Sequence, residues 1–160
     1  MLEKRNSIIK LIISIAIPLG VGFLSSLLSI NTVDTYRNLI QPSFAPPSWL
    51  FAPVWTILYI LMGIAAYRIW ISYADTSKKD SAFTFYFIQL SLNFLWSIIF
   101  FRFNMRFLAL IEILLLLFSI IITTIKFYKI DKKAGYLMIP YILWASFATV
   151  LNYSIWMLNK

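Results

Sequence analysis

The sequence predicts an all-α integral membrane protein: one domain over residues 1–160, built as a bundle of five transmembrane helices. Hydrophobic residues make up 61% of the chain and charged residues 12%, and the mean hydropathy is +0.84. One small water-soluble core cannot hide such an excess. Five apolar stretches account for 105 of the 160 residues, and each is long enough to cross ~30 Å of hydrocarbon as a helix of roughly 20 residues. The stretches are apolar all round, without the polar face of a soluble bundle.

The first span is expected at about residues 8–30, with an uncharged run of 20 residues from Leu11 to Ile30. That run is longer than the ~7–15 residues of a signal-peptide core, and no small-residue cleavage pattern follows it. Pro18 in its middle removes one backbone hydrogen bond and predicts a bend, which neighbouring helices can accommodate. Residues 31–47 then form a long loop with Asp34, Arg37, Pro42, Pro46 and Pro47. It shows no helical periodicity beyond a possible short turn, and loops of this length are often lids or binding loops. The Pro46-Pro47 pair stiffens the approach to the second span, about 48–70. The third, fourth and fifth spans are expected at about 81–101, 106–128 and 134–158, and Glu112 is the one acid placed inside any of them.

Fourteen Lys and Arg against six Asp and Glu give a net charge of +8. Between apolar runs this imbalance reads as membrane topology, not as nucleic-acid binding. Ten cations fall on the N-terminal side of the five spans and four on the other, so the positive-inside rule predicts the N-terminus inside and the C-terminus outside. Cysteine and histidine are both absent, which removes disulfides, thiolate chemistry, imidazole bases and the usual zinc ligands, and no metal site is expected. No nucleophile–base pair is readable, since Ser or Thr without His is a weak candidate.

Aromatic residues form 18% of the chain, including six tryptophans. Trp49, Trp70 and Trp156 lie near span ends, as an interfacial belt requires; Trp55, Trp96 and Trp144 lie deeper. Phe51, Trp55, Tyr59 and Met62 recur at helical spacing on the second span, and Pro140, Trp144, Ala148 and Asn152 on the fifth. Asn93 and Trp96 share a face of the third. A polar Asn within a span usually faces the bundle interior, so Asn93 and Asn152 orient their helices inward. Such stripes fit internal packing or a ligand cavity. Glu112 is expected to be structural, hydrogen-bonded to a neighbouring helix, because no second deep acid or His could form a relay with it. Small residues at four-residue spacing in the first span, Ala16 and Gly20, Gly22 and Ser26, Ser25 and Ser29, predict close helix approach, either within the bundle or at a dimer seam.

The run from Gln41 to Gly63, QPSFAPPSWLFAPVWTILYILMG, resembles the signature of the TspO/translocator protein family, also called tryptophan-rich sensory proteins or peripheral-type benzodiazepine receptors. Two further segments agree: NFLWS at 93–97 with Phe100 and Phe101, and PYILW at 140–144 followed by FATVLN at 147–152. The resemblance covers essentially the whole chain in order. It implies a five-helix bundle, often a homodimer, with a pocket opening toward the long first loop. It implies binding of porphyrins, protoporphyrin IX and haem among them, and of isoquinoline and benzodiazepine-type drugs, with no cofactor required. Carried over by motif, the ligand-binding residues are Tyr36, Pro46, Phe51, Trp55, Tyr59, Asn93, Trp96, Trp144 and Ala148. Some bacterial relatives degrade protoporphyrin in light and oxygen through two pocket tryptophans, which here are Trp55 and Trp144.

Tryptophan faces suit a large flat π-system, and Arg37, Arg102 and Arg106 are the arginines available to propionates on the outer side. Without His, a bound haem iron would meet only weak ligands such as Tyr or Met, so stacking and shape are expected to dominate. Two departures stand out: Thr35 and Phe44 occupy positions where the family commonly has Trp. The cholesterol pattern of animal members fails at Val150, Tyr153 and Lys160, where the second gap holds six residues. Three functions stay open: a porphyrin receptor or translocator, a photochemical porphyrin-degrading protein, and a scaffold with incidental binding. The compact form without a convincing cleaved leader predicts a bacterial plasma membrane.

Overall fold

A computed structural model describes residues 2–160, with side chains from Arg5 onward. Six α-helices account for nearly all of it: α1 (Leu2–Ser29), α2 (Thr32–Asn38), α3 (Phe51–Ile71), α4 (Thr76–Ser97), α5 (Arg106–Ile130) and α6 (Lys132–Leu158). Five are long and apolar enough to cross a membrane, and no strand occurs among the described residues. Each expected span overlaps one of these five helices over most of its length. Large apolar side chains point outward along them, Phe23 at 65%, Phe118 at 64% and Leu143 at 66% exposure, as is natural only where the surrounding solvent is itself apolar.

The bundle is inside-out in polarity. Its interior holds Gln89, Asn93, Thr123 and Asn152, all buried, beside Met62, Tyr86, Phe127 and Tyr141. In lipid, helix association relies on close packing and interhelical hydrogen bonds rather than on hydrophobic burial, and α1 shows both. A Cβ added at Gly63 of α3 would lie 2.5 Å from the Ile15 Cα and 2.7 Å from the Ser14 carbonyl oxygen, so α1 and α3 meet backbone to backbone there. Gly22 presses against the Tyr59 ring. Ser25 Oγ donates to the Phe94 carbonyl at 2.9 Å, and Ser29 Oγ reaches Ser97 Oγ at 3.0 Å. Gly22, Ser25 and Ser29 therefore serve packing within the bundle, whereas a Cβ added at Gly20 would meet nothing within 4 Å.

Both ends of the bundle are tied. At the N-terminal end Ser7 and Tyr67 share a hydrogen bond, and Arg68 pairs with Asp131 at 2.7 Å while Asp131 also caps α6 by accepting from the Lys133 N–H. At the far end Asn159 grips the loop: its Oδ1 accepts from the Ile40 N–H at 3.0 Å and its Nδ2 donates to the Ile40 carbonyl at 2.9 Å. The loop and the end of α6 thus share one face, with the start of α1 at the opposite one.

Four local features add to or qualify the sequence expectation. The loop contains a whole seven-residue helix, α2, entered through Ile30 and Asn31 at φ 44° and 52°; left-handed backbone at a β-branched residue is strained. α4 starts at Thr76, five residues before the expected 81. Its polar opening, Thr76 to Asp80, extends the helix beyond the apolar segment. At its other end α4 continues as a π-helical turn, Ile98–Arg102, in which the Phe103 N–H donates to the Ile98 carbonyl. Pro18 lies inside an α1 that runs without interruption.

Candidate functional site: an aromatic wall under a pinned loop

The loop, the top of α3 and the middle of α6 are joined by a chain of rings. Tyr36 of α2 is buried, its hydroxyl donates to the Pro46 carbonyl at 2.9 Å, and burial raises its phenol above the ordinary value. Its ring meets Phe51 edge-on at 5.1 Å, and Phe51 meets Trp144 edge-on at 5.9 Å. Trp144 packs on Phe147 at 5.5 Å, and Phe44 of the loop closes on Phe147 at 6.3 Å. Edge-to-face and offset pairs at these separations each contribute ~0.5–1.5 kcal/mol beyond area burial. Gln41 Nε2, donating to the Tyr36 carbonyl at 2.6 Å, holds the far side of the loop.

One turn deeper on α3, Trp55 stacks on Tyr59 at 5.5 Å and 29°. Beneath it runs a polar bridge across three helices: the Tyr59 hydroxyl donates to Asn93 Oδ1, and Asn93 Nδ2 donates to the Tyr141 hydroxyl at 3.0 Å. Tyr141 in turn meets Trp55 edge-on at 6.0 Å. A second bridge lies toward the loop, where Trp96 Nε1 donates to Asn152 Oδ1 at 3.1 Å and Asn152 Nδ2 donates to the Arg106 carbonyl at 3.1 Å. Trp96 also stacks on Phe100 at 5.3 Å. Asn93 and Asn152 are buried and face inward, as their positions within spans predict.

Every residue singled out in the sequence can now be placed. Tyr36, Pro46, Phe51 and Trp144 are linked directly; Trp55, Tyr59 and Asn93 form the layer below; Trp96 joins that layer to the loop side. Ala148 is buried one turn beyond Trp144. The stripe on α6 holds at Trp144, Ala148 and Asn152 but not at its first position: Pro140 is exposed, and Tyr141, 1% exposed, takes the inward place. Its three-residue spacing to Trp144 and seven to Ala148 is the signal that marks it. Phe147, Gln41 and Asn159 also belong to the assembly. Phe147 lies in the FATVLN motif and Gln41 opens the QPSFAPP run, while Asn159 acts through a tertiary contact with no local pattern.

Glu112 corrects an expectation. It is buried on α5, yet neither carboxyl oxygen has a hydrogen-bond partner among the described residues. The predicted bond to a neighbouring helix is not formed. The Trp144 indole N–H is likewise buried without a partner. No group of three or more His, Cys, Asp or Glu side chains gathers in metal-binding geometry among the described residues.

A sequence model described as the TspO/MBR family matches residues 14–157. The chain belongs to the TspO/MBR family. It is 40% identical over 156 residues to a tryptophan-rich protein TspO of Archaeoglobus fulgidus, covering 96% of this chain and 99% of that one. It is 37% identical over 122 residues to the translocator protein of Homo sapiens, covering 76% and 72% of the two chains. A tryptophan-rich sensory protein of Cereibacter sphaeroides is also 37% identical, over 126 residues and 79% and 77% of the chains. As a TspO/MBR protein the chain is an integral, multi-pass membrane protein. The aromatic wall and both asparagine bridges lie within the matched segment.

Proposed function

We propose that this TspO-type protein is a membrane receptor or translocator-like protein for porphyrins, protoporphyrin IX and haem. The same aromatic pocket would take isoquinoline and benzodiazepine-type ligands. The observation that carries the reading is the continuous ring chain from Tyr36 through Phe51 to Trp144, with the Trp55–Tyr59 stack beneath it. A porphyrin is apolar and π-rich in its plane and anionic at its edge. Admission of a guest requires the loop rings, Tyr36 and Phe44, to part from Phe51 and Phe147. Arg106 sits at the loop end of the bundle beside the Trp96–Asn152 bridge, and its buried Nε has no partner among the described residues; this suits it to a propionate. The positive-inside count supports an N-terminus inside, and in a bacterial plasma membrane the pocket mouth would then open on the outer side. The names of relatives, translocator protein and tryptophan-rich sensory protein, agree with a transport or sensing role.

The test is a dark titration with protoporphyrin IX followed by tryptophan quenching, on wild type and on Trp144→Ala. Loss of a pocket anchor of ~2 kcal/mol raises the dissociation constant about thirtyfold. A change below threefold in a folded variant would sink the anchor role. Illumination of the same samples in air, with Trp55→Phe and Trp144→Phe beside wild type, tests the photochemical alternative. Loss of the porphyrin spectrum in wild type alone would establish degradation through these two side chains.

A further inference from the structure

The face between α3 and α6 holds a groove of about 400 Å³, lined by Val54, Ile57 and Leu58 of α3 and by Pro140, Leu143 and Trp144 of α6. Ile57, Pro140 and Leu143 are exposed, so the groove opens sideways onto the bilayer. No lining side chain carries a charge or a hydroxyl. Trp144 lies near the middle of α6, at the depth of the acyl chains. Its ring belongs to two places at once. It walls the groove, and it meets Phe51 at 5.9 Å and Phe147 at 5.5 Å in the aromatic chain. One side chain therefore stands between lipid and the pocket rings.

Two features leave that ring free to turn. A buried indole N–H usually has a hydrogen-bond partner, and the one on Trp144 has none among the described residues, so turning the ring breaks no hydrogen bond. Pro140, one turn earlier on α6, has no N–H and leaves the Tyr136 carbonyl without its backbone donor; helices bend at such points. The residue rows lead the same way. On α3, Val54 and Leu58 lie three and seven residues after Phe51, and on α6, Pro140 and Leu143 lie seven and four before Phe147. The stripes that line the groove thus carry the pocket rings one turn further on.

We propose that the α3–α6 groove is the entrance by which a porphyrin dissolved in the bilayer reaches the aromatic pocket, with the Trp144 ring as its door. The proposal rests on the receptor reading and adds a route to it. Propionates are costly to bury in hydrocarbon, so the macrocycle enters with its apolar edge leading, past a lining that offers no polar side chain but the indole, and its propionates trail at the outer interface. Tyr36 and Phe44 still part from Phe51 and Phe147 as the guest seats, but the guest comes to them from the side.

The chain has no cysteine, so Ile57→Cys puts one thiol in the groove, and the same preparation can be compared before and after alkylation with N-cyclohexylmaleimide. The protein is reconstituted in phosphatidylcholine nanodiscs. Binding of protoporphyrin IX is followed in the dark by stopped-flow tryptophan quenching, and release by dilution into excess empty vesicles. Alkylation is expected to slow association and release together by about tenfold and to leave the dissociation constant within about twofold, because a blocked route changes rates and not end states. Phe118→Cys, exposed on α5, should carry the same adduct and keep the unmodified rates. Unchanged rates after alkylation of Ile57→Cys, or an equal slowing at Phe118→Cys, would overturn the route. So would weaker binding with unchanged association, which makes the groove part of the seat. A parent protein without saturable quenching would instead overturn the receptor reading, and the route with it.

Discussion

Replacing Asn93 with Leu keeps the side-chain volume close and removes both arms of the bridge between α3, α4 and α6. Tyr59 loses its acceptor and Tyr141 loses its donor. Both phenols are buried, at 8% and 1% exposure, so water cannot easily replace the missing partner. Interhelical hydrogen bonds inside membranes are worth ~0.6 kcal/mol on average and up to ~1.7 kcal/mol. Losing two therefore costs about 1 kcal/mol, and no more than about 3 kcal/mol if both are strong. Tyr59→Phe and Tyr141→Phe each remove one arm and should each cost about half as much. The assay is reversible unfolding in mixed micelles of mild detergent and SDS, read by far-ultraviolet circular dichroism. A double-mutant cycle between Asn93→Leu and Tyr141→Phe should show coupling, because the second change removes a bond that the first has already broken. Asn93→Leu as stable as wild type, with no coupling to either tyrosine, would refute the bridge as a structural element.

Other consequences follow from packing and topology. Gly63→Ala should destabilise the protein by ~1–3 kcal/mol, because its methyl group would meet the α1 backbone, whereas Gly20→Ala, in open space, should be neutral or slightly stabilising through helix propensity; the same unfolding assay compares them. Asp131→Ala removes both a cap and the Arg68 pair and should cost ~1–2 kcal/mol, while Asp75→Ala, which breaks only the exposed Lys78 pair, should lie within ~0.5 kcal/mol of wild type. Cysteines introduced separately at Lys78 and Lys160 should react with an impermeant maleimide from opposite faces of the membrane, and labelling of both from one face would overturn the topology.

The five long helices were legible because hydrocarbon thickness sets a length that an uncharged apolar run must meet, whatever its partners. Their ends were less so. The first turn of α4, Thr76 to Asp80, is polar and continues past that run, and hydropathy does not see a helix that outlasts its apolar segment. α2 escaped for another reason: seven residues carry too little periodicity, and the helix is held by burial of Tyr36 and by bonds from Gln41 and to Pro46, which lie outside the helix itself. In the site, Phe51, Trp55 and Tyr59 were readable from spacing alone, since one stripe of α3 faces inward. On α6 the choice between Pro140 and Tyr141 depended on the helix's rotation, which neighbours decide. Glu112 shows the opposite failure. General expectation assigns a buried carboxyl a partner, and nothing in the sequence marks this one as lacking it.

The grip of Asn159 on Ile40 makes the last turn of α6 and the loop mechanically continuous. The chain's end therefore stands in series with the cover over the aromatic wall. A bulky fusion or surface tether attached after Lys160 pulls on that cover, whereas the same attachment before α1 lies at the other end of the bundle. For biophysical work the C-terminus is thus a poor handle and a good antenna: a small fluorophore there reports whether the loop is seated without touching any ring that a ligand would meet.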